Sequence, residues 1–156
     1  MLGGAPFDSF AADLLVVDRL SNSVYRYSAA GTLLGTVIDN SADLNQPTGI
    51  GMSPDFTKLY VSSSQNNRVM KYDYNAASGV ATNPMIFADA TGGLAFPNDI
   101  QFSPDGSKIY VANLSGGVSR FNADGSSAGP KLALPGNAPT SSMNFTPDNK
   151  LLAGVF

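Results

Sequence analysis

Cysteine, histidine and tryptophan do not occur in this chain of 156 residues. Without cysteine and histidine, the chain can form neither a disulfide nor a thiolate nucleophile, and it can build neither a serine–histidine dyad nor an ordinary zinc site. Any chemistry must therefore use carboxylates, amides, hydroxyls, lysine, tyrosine or a hard metal ion bound by oxygen atoms. This exclusion limits the function classes more than any other feature of the composition.

Charged residues are also few, at 13% of the chain, with a formal net charge of −3. The nine lysine and arginine residues are spread thinly, so we expect no nucleic-acid partner. No apolar run is long enough to span a bilayer, and we expect no membrane partner. The first six residues lack the charged-then-apolar order of a secretory signal, which leaves a cytoplasmic protein, an exported and processed chain, and an incomplete chain as alternatives.

The most informative feature that is present is a repeat. Residues 47–61 (PTGIGMSPDFTKLYV) return as residues 97–111 (PNDIQFSPDGSKIYV) and, in degraded form, as residues 139–152. A repeat of this length is one supersecondary unit that cannot bury its apolar face alone. The chain must therefore fold as an array of packed copies.

Each copy predicts short antiparallel strands. A first apolar strand ends at a turn such as Ser103-Pro104-Asp105-Gly106, where proline presets φ, aspartate bonds the local backbone and glycine supplies a positive φ. Second and third strands of alternating pattern follow. Weaker fourth strands are predicted at residues 84–88 and 131–134. Four antiparallel strands in a repeat of this length are typical of a propeller blade, and we expect almost no helix.

The predicted fold class is therefore an all-β propeller with about three blades in the chain. The predicted ranges are about 6–40 for blade A, about 47–90 for blade B, about 97–135 for blade C and about 139–156 for a partial blade D. The first strand of blade A is either at residues 5–10 or absent. Propellers close with roughly four to eight blades, so the sequence is either part of a longer protein or one half of a homodimer that completes a six-bladed ring.

Two propeller families share motifs with this chain. Residues 66–73 (NNRVMKYD), together with the earlier residues 22–27 (NSVYRY), resemble NHL-repeat propellers. Residues 96–100 (FPNDI), followed by the Ser-Pro-Asp-Gly turn, resemble the six-bladed calcium-dependent lactonases of the gluconolactonase and senescence-marker-protein family. The resemblance covers most of residues 14–156 and is more specific for fold than for activity.

The resemblance to the lactonases implies a calcium ion at the centre of the ring. In that family the ion is held by a Glu, two Asn and an Asp from the first strands of different blades, and Asn98 matches the asparagine of the Pro-Asn-Asp motif. Thr48 and Thr140 stand at the corresponding positions of the other two copies and depart from the pattern. For Asn98, the alternative is that it only bonds neighbouring loop backbone.

Asp99 is the nearest carboxylate to this candidate ligand and is the candidate catalytic residue. Alternation along a strand points it away from Asn98, which favours support of the metal site over catalysis. Calcium can polarise a lactone carbonyl while a carboxylate steers water, so the resemblance implies a hydrolase of sugar lactones or of acyl lactones such as acyl-homoserine lactones. The alternative, indicated by Thr48 and Thr140, is a non-catalytic NHL-like module that binds a protein or a small ligand.

Overall fold

The computed structural model describes residues 13–40 and 43–155. This part of the chain contains twelve β-strands and three single-turn 3₁₀ segments, and in it no helix is long and apolar enough to cross a membrane. The strands are β1 (Leu14–Asp18), β2 (Ser23–Tyr27), β3 (Leu33–Ile38), β4 (Pro47–Met52), β5 (Lys58–Ser63), β6 (Arg68–Asn75), β7 (Val80–Ala88), β8 (Pro97–Phe102), β9 (Lys108–Asn113), β10 (Val118–Asn122), β11 (Thr140–Phe145) and β12 (Leu151–Val155). The 3₁₀ segments are Ser64–Asn66, Ala90–Gly92 and Pro135–Asn137.

The strands form four antiparallel sheets in chain order, each paired between sequence neighbours. Sheet 1 contains β1 to β3, sheet 2 contains β4 to β7, sheet 3 contains β8 to β10 and sheet 4 contains β11 and β12. The first strands of sheets 2, 3 and 4, which we call the inner strands, lie side by side. Successive antiparallel sheets stacked with their first strands together are the blades of a propeller, which confirms the predicted fold class.

Three apolar clusters fill the spaces between consecutive sheets. One sheet contributes side chains to two clusters, as strand β5 shows, because successive side chains of a strand point to opposite faces of the sheet. Leu59 and Val61 pack in the cluster between sheets 1 and 2, whereas Tyr60 packs in the cluster between sheets 2 and 3. A third, smaller cluster between sheets 3 and 4 contains Ala112, Val118 and Met143.

The turn after each inner strand contains a hydrogen bond from the hydroxyl of its first residue to its aspartate. In sheet 3, the Ser103 hydroxyl donates to Asp105 Oδ1, which also accepts from the Ser107 amide at 3.0 Å, and Gly106 takes a positive φ of 70°. In sheets 2 and 4 the position of Gly106 is occupied by Phe56 and Asn149, with φ of 59° and 63°. The turn geometry is therefore kept where the residue that favours it is absent.

A repeated hydrogen bond joins sheets 1 and 2 to the start of the inner strand that follows each of them. Asn22 lies in the left-handed region at the turn between β1 and β2, and Asn67 lies in it at the turn between β5 and β6. The Asn22 Oδ1 atom accepts from the amide of Gln46 at 2.7 Å, and the Asn67 Oδ1 atom accepts from the amide of Phe96 at 2.7 Å. The same asparagine contact thus fixes the entry of β4 and of β8.

The strand predictions hold for sheet 2, with the fourth strand extended to Val80–Ala88. They are wrong for residues 131–134, which form no strand: one isolated bridge, Val118 with Leu132, connects this segment to β10. Pro130 and Pro135 flank the segment, and each lacks the amide donor that a ladder needs. The first strand predicted at residues 5–10 lies outside the described residues.

Candidate functional site

Each inner strand begins with a β-bulge, and the predicted site residues lie at these bulges. In β8, Pro97 pairs with Asn113 and Asp99 pairs with Ala112, so Asn98 is the additional residue. In β11, Thr140 and Ser142 pair with consecutive residues of β12, and in β4 the additional residue lies between Pro47 and Ile50. A bulge changes the direction of a side chain, so these three positions do not follow simple alternation.

Asn98 is half-buried and bridges two sheets. Its Nδ2 atom donates to the backbone oxygen of Ser141, the bulge residue of β11, at 2.5 Å. No described residue donates a hydrogen bond to its Oδ1 atom. The side-chain amide is therefore held by its nitrogen and keeps its oxygen as an uncommitted acceptor or metal ligand.

The Asp99 carboxylate lies in the same boundary, and both of its oxygens are engaged. Oδ1 accepts from the amide of Ile100 at 2.8 Å, and Oδ2 accepts from the amide of Met143 at 2.6 Å. The bond from Met143 ties β8 to β11, whereas the bond from Ile100 lies within β8. The catalytic role of Asp99 stays a prediction.

Thr48 occupies the start of β4 and bonds toward sheet 3. Its hydroxyl donates to the backbone oxygen of Pro97 at 3.0 Å and lies 3.0 Å from the hydroxyl of Ser62. The backbone of β4 beside Thr48 approaches β8 closely: a Cβ added to Gly49 would lie 2.3 Å from the backbone oxygen of Asn98. Thr48 is thus part of a close backbone contact between the two inner strands.

Thr140 lies one position away from the one that the repeat predicted. Thr140 pairs with Val155 immediately before the bulge of β11, just as Pro97 pairs with Asn113 immediately before the bulge of β8. Thr140 is therefore equivalent to Pro97. The bulge residue Ser141 is equivalent to Asn98. The cause is one additional residue between Pro139 and Pro147, compared with the spacing of Pro97 and Pro104. Thr140 is fully buried, and its Oγ1 has no hydrogen-bond partner among the described residues.

The described residues do not complete a calcium site. No group of three or more Asp, Glu, His or Cys side chains in the described ranges could hold a metal ion. Calcium takes six to eight oxygen ligands, whereas Asn98 supplies one free side-chain oxygen at the inner strands. The chain contains no glutamate, so the glutamate of the ligand set implied by the resemblance is not in this sequence.

A larger cavity lies away from the inner strands. It has a volume of about 480 Å³, lies between β3 and β7, and is lined by residues that include Asp39, Tyr72 and Pro84. Burial raises the pKa of Tyr72, so the phenol is protonated at neutral pH and is not a base. No local sequence pattern indicates this cavity, because its walls come from the weakly patterned outer strands.

Comparison with known proteins places the chain in a family. The family described as SMP-30/gluconolactonase/LRE-like region matches residues 10–152. No curated protein matches the chain.

Solved structures share the fold. A gluconolactonase from Xanthomonas campestris is 25% identical with a TM-score of 0.69, and 85% of this chain covers 41% of that one. Regucalcin, a calcium-binding protein from Agrobacterium tumefaciens, is 27% identical with a TM-score of 0.68, and 84% of this chain covers 43% of that one. A luciferin-regenerating enzyme matches with a TM-score of 0.68 at 19% identity, which shows the fold alone. The chain thus spans less than half the length of each of these structures.

Proposed function

The chain belongs to the SMP-30/gluconolactonase/LRE-like family, and from this premise we propose that it forms part of a propeller that hydrolyses lactones with a bound calcium ion. The similarity to a gluconolactonase and to a calcium-binding protein at 25% and 27% identity supports this class of activity. Sugar lactones and acyl lactones both remain candidate substrates. The observation that carries the proposal is the uncommitted Oδ1 of Asn98.

Asn98 is the residue of this chain that we expect to bind the metal. Calcium prefers oxygen ligands, including amide oxygens, and Asn98 Oδ1 accepts no hydrogen bond from the described residues. The bond from its Nδ2 to Ser141 holds the amide in one orientation, so the oxygen needs no rearrangement before it binds. A calcium ion bound there would supply positive charge that polarises a lactone carbonyl.

Asp99 supports this arrangement by fixing the bulge that carries Asn98. Its bond with the Met143 amide holds the end of β8 against β11, and its bond with the Ile100 amide orients the carboxylate within β8. A catalytic role would require a lactone or its attacking water to compete with these backbone amides for the carboxylate. We therefore assign Asp99 a positioning role first, with catalysis as its alternative.

The remaining ligands must come from blades other than those described here. At the bulges of the inner strands the described residues provide one candidate amide oxygen, that of Asn98, and the sequence contains no glutamate. Two sources would complete a ring: further blades of a longer chain, or a second copy of this chain that brings its own Asn98 to the opposite side. In the second case the active species is a homodimer, and activity falls with dilution below the dissociation constant.

The test is hydrolysis of a sugar lactone and of an acyl-homoserine lactone, with and without a calcium chelator. We expect activity to disappear on chelation and to return when calcium is added. Asn98→Ala should abolish the calcium dependence together with the activity, whereas Asn144→Ala, which removes an exposed asparagine of β11, should leave both unchanged. Turnover that persists in chelator and in Asn98→Ala would exclude this mechanism.

A non-catalytic binding module is the second candidate. It is favoured by the engagement of both Asp99 oxygens, because no described carboxylate at the inner strands is then free to act on water. This candidate predicts no lactone hydrolysis and no change of melting temperature on addition of calcium. Calcium-dependent stabilisation that Asn98→Ala removes would count against it.

A further inference from the structure

One strand position carries a basic residue in each of sheets 1, 2 and 3. Arg26 pairs with Leu15, Lys71 pairs with Tyr60 and Arg120 pairs with Tyr110, and all three lie at the same register of the third or equivalent strand. The repeat therefore offers an internal comparison of three cations in the same backbone setting.

Two of these cations have partners within the chain. Arg26 forms an ion pair with Asp13. The ammonium of Lys71 lies 6.0 Å from the centroid of the Phe87 ring, which is within the range of a cation–π contact. In both sheets the positive charge is thus compensated by the protein itself.

Arg120 differs from the other two. Its Nη2 atom donates to the backbone oxygen of Pro130 at 2.9 Å, but it forms no ion pair within the described ranges. Its Nε atom is buried and has no hydrogen-bond partner among the described residues. Buried donors are nearly always paired with protein, water or an ion, so this nitrogen indicates a partner that the described residues do not supply.

Arg120 lines a cavity whose chemistry suits an anion. The cavity has a volume of about 220 Å³, and no acidic side chain is among its lining residues. Lys131 lies in the same wall and uses one of its three N–H donors on the backbone oxygen of Gly116, at 3.2 Å. Polar residues complete the lining, including Thr91, Ser119 and Ser127.

We propose that this cavity, which lies between the 3₁₀ segment Ala90–Gly92 and strand β10 with the segment that follows it, binds a phosphate-class oxyanion held by Arg120 and Lys131. The guanidinium has donors left in a planar fork that matches the oxygens of such an anion, and charge-assisted bonds of this kind are the strong ones. The cavity is several times the volume of about 30 Å³ that one water occupies, so it admits inorganic phosphate or the phosphate group of a small ester. It is separate from the inner strands and from Asn98.

A carboxylate in the neighbouring cavity is the alternative partner that must be tested. Asp89 lies in the adjoining cavity, where its Oδ1 accepts from the amide and the hydroxyl of Thr91. If Asp89 were the partner of Arg120 in solution, phosphate would have no effect, and Arg120→Gln and Asp89→Asn would lower the melting temperature equally. That result would overturn the proposal.

The experiment measures the melting temperature of the whole chain against inorganic phosphate, with ionic strength held constant by chloride. We expect phosphate to raise it in the wild type, and Arg120→Gln to weaken phosphate binding about tenfold, the equivalent of about 1.4 kcal/mol. Lys71→Gln is the matched control, because it removes one positive charge from the same strand position outside the cavity. It should leave phosphate binding unchanged.

Two further measurements complete the experiment: a second variant that does not disturb a buried residue, and a comparison of anions that identifies the ligand. Lys131→Gln alters an exposed residue and should also weaken phosphate binding, so the proposal can be tested even if Arg120→Gln does not fold. Sulfate and phenyl phosphate replace inorganic phosphate in parallel titrations. Tighter binding of phenyl phosphate would identify a phosphate ester as the ligand, and equal binding would identify the free oxyanion. The absence of stabilisation by any of the three would overturn the proposal.

Discussion

The boundary between sheets 2 and 3 and the boundary between sheets 3 and 4 join equivalent inner strands by different means. Between sheets 2 and 3 the backbones come close, because Gly49 and Gly51 leave room for β8: a Cβ on Gly51 would lie 2.9 Å from Ile100 Cγ2. Behind this contact lies a large apolar cluster, in which the rings of Phe87 and Phe121 pack edge to face with centroids 5.8 Å apart.

The boundary between sheets 3 and 4 depends on polar side chains instead. Asn98 and Asp99 bond the backbone of β11 at Ser141 and Met143. The apolar cluster behind them is small. Less apolar area is buried here, so side-chain hydrogen bonds carry a larger share of the contact.

The difference between the two boundaries is visible at one position of the repeat, occupied by Gly49 in β4 and by Asp99 in β8. The two residues are equivalent because each precedes an isoleucine at the same register: Ile50 pairs with Val61, and Ile100 pairs with Val111. Gly49 leaves space for the backbone of β8, whereas the Asp99 side chain accepts a hydrogen bond from the backbone of β11. The comparison teaches that the repeat conserves strand geometry while the inner ends are free to differ, and that the candidate ligand lies at the polar boundary.

The substitution that should break the first boundary is Gly49→Ala. Its Cβ would meet backbone atoms of Asn98 and Asp99, which cannot move aside as a flexible side chain can. We expect a loss of about 3 kcal/mol in the free energy of unfolding, at the upper end for an overpacked site. Urea denaturation of the purified chain measures it.

Gly154→Ala is the control for that substitution. There the new Cβ would meet the Ser142 hydroxyl at 2.6 Å, and that side chain can rotate away. The cost should stay below about 1 kcal/mol. Equal losses at the two glycines would show that the close approach of β4 and β8 is not what holds this boundary.

The second boundary is tested by Asp99→Asn. The substitution keeps the shape and one acceptor but presents an amide nitrogen to one of the two backbone N–H groups, at Ile100 or Met143. We expect a loss of about 2 kcal/mol, because a buried donor loses a charged acceptor. Thermal and urea unfolding would measure the loss.

Thr48→Val provides the comparison at the first boundary. It removes the neutral hydrogen bond to Pro97 and keeps a similar shape, so we expect a loss of about 1 kcal/mol or less. If Thr48→Val cost as much as Asp99→Asn, the two boundaries would not differ in the way argued above.

These local features explain which parts could be predicted from the sequence. The strands and the Ser-Pro-Asp turns depend on alternation and on turn residues that lie within a few positions, and they were predicted correctly except at residues 131–134. The partners of Asn98 and Asp99 lie more than 40 residues away, at Ser141 and Met143, so no local pattern indicates them. The shift from Thr140 to Ser141 could have been found by counting back from the turn rather than forward from Pro139.

The smallest expected effect concerns the turns of sheets 2 and 3, whose aspartates accept equivalent hydrogen bonds. Hydrogen bonds from the Ser103 hydroxyl and from the amide and hydroxyl of Ser107 lower the pKa of Asp105 to about 2, and the equivalent bonds at Asp55 lower its pKa as well. A carboxylate whose pKa is depressed on folding adds stability above its unfolded pKa of 3.8, and this contribution disappears as the pH falls toward about 2.

Asp105→Asn should therefore flatten the acid side of the stability curve between about pH 4 and about pH 2, by a small amount because the group is exposed. Asp55→Asn should flatten it in the same way, since its turn makes the same bonds. Urea midpoints recorded at steps of pH give the comparison. A response at one aspartate without the other would mean that the turns, like the inner ends of the strands, have diverged between sheets.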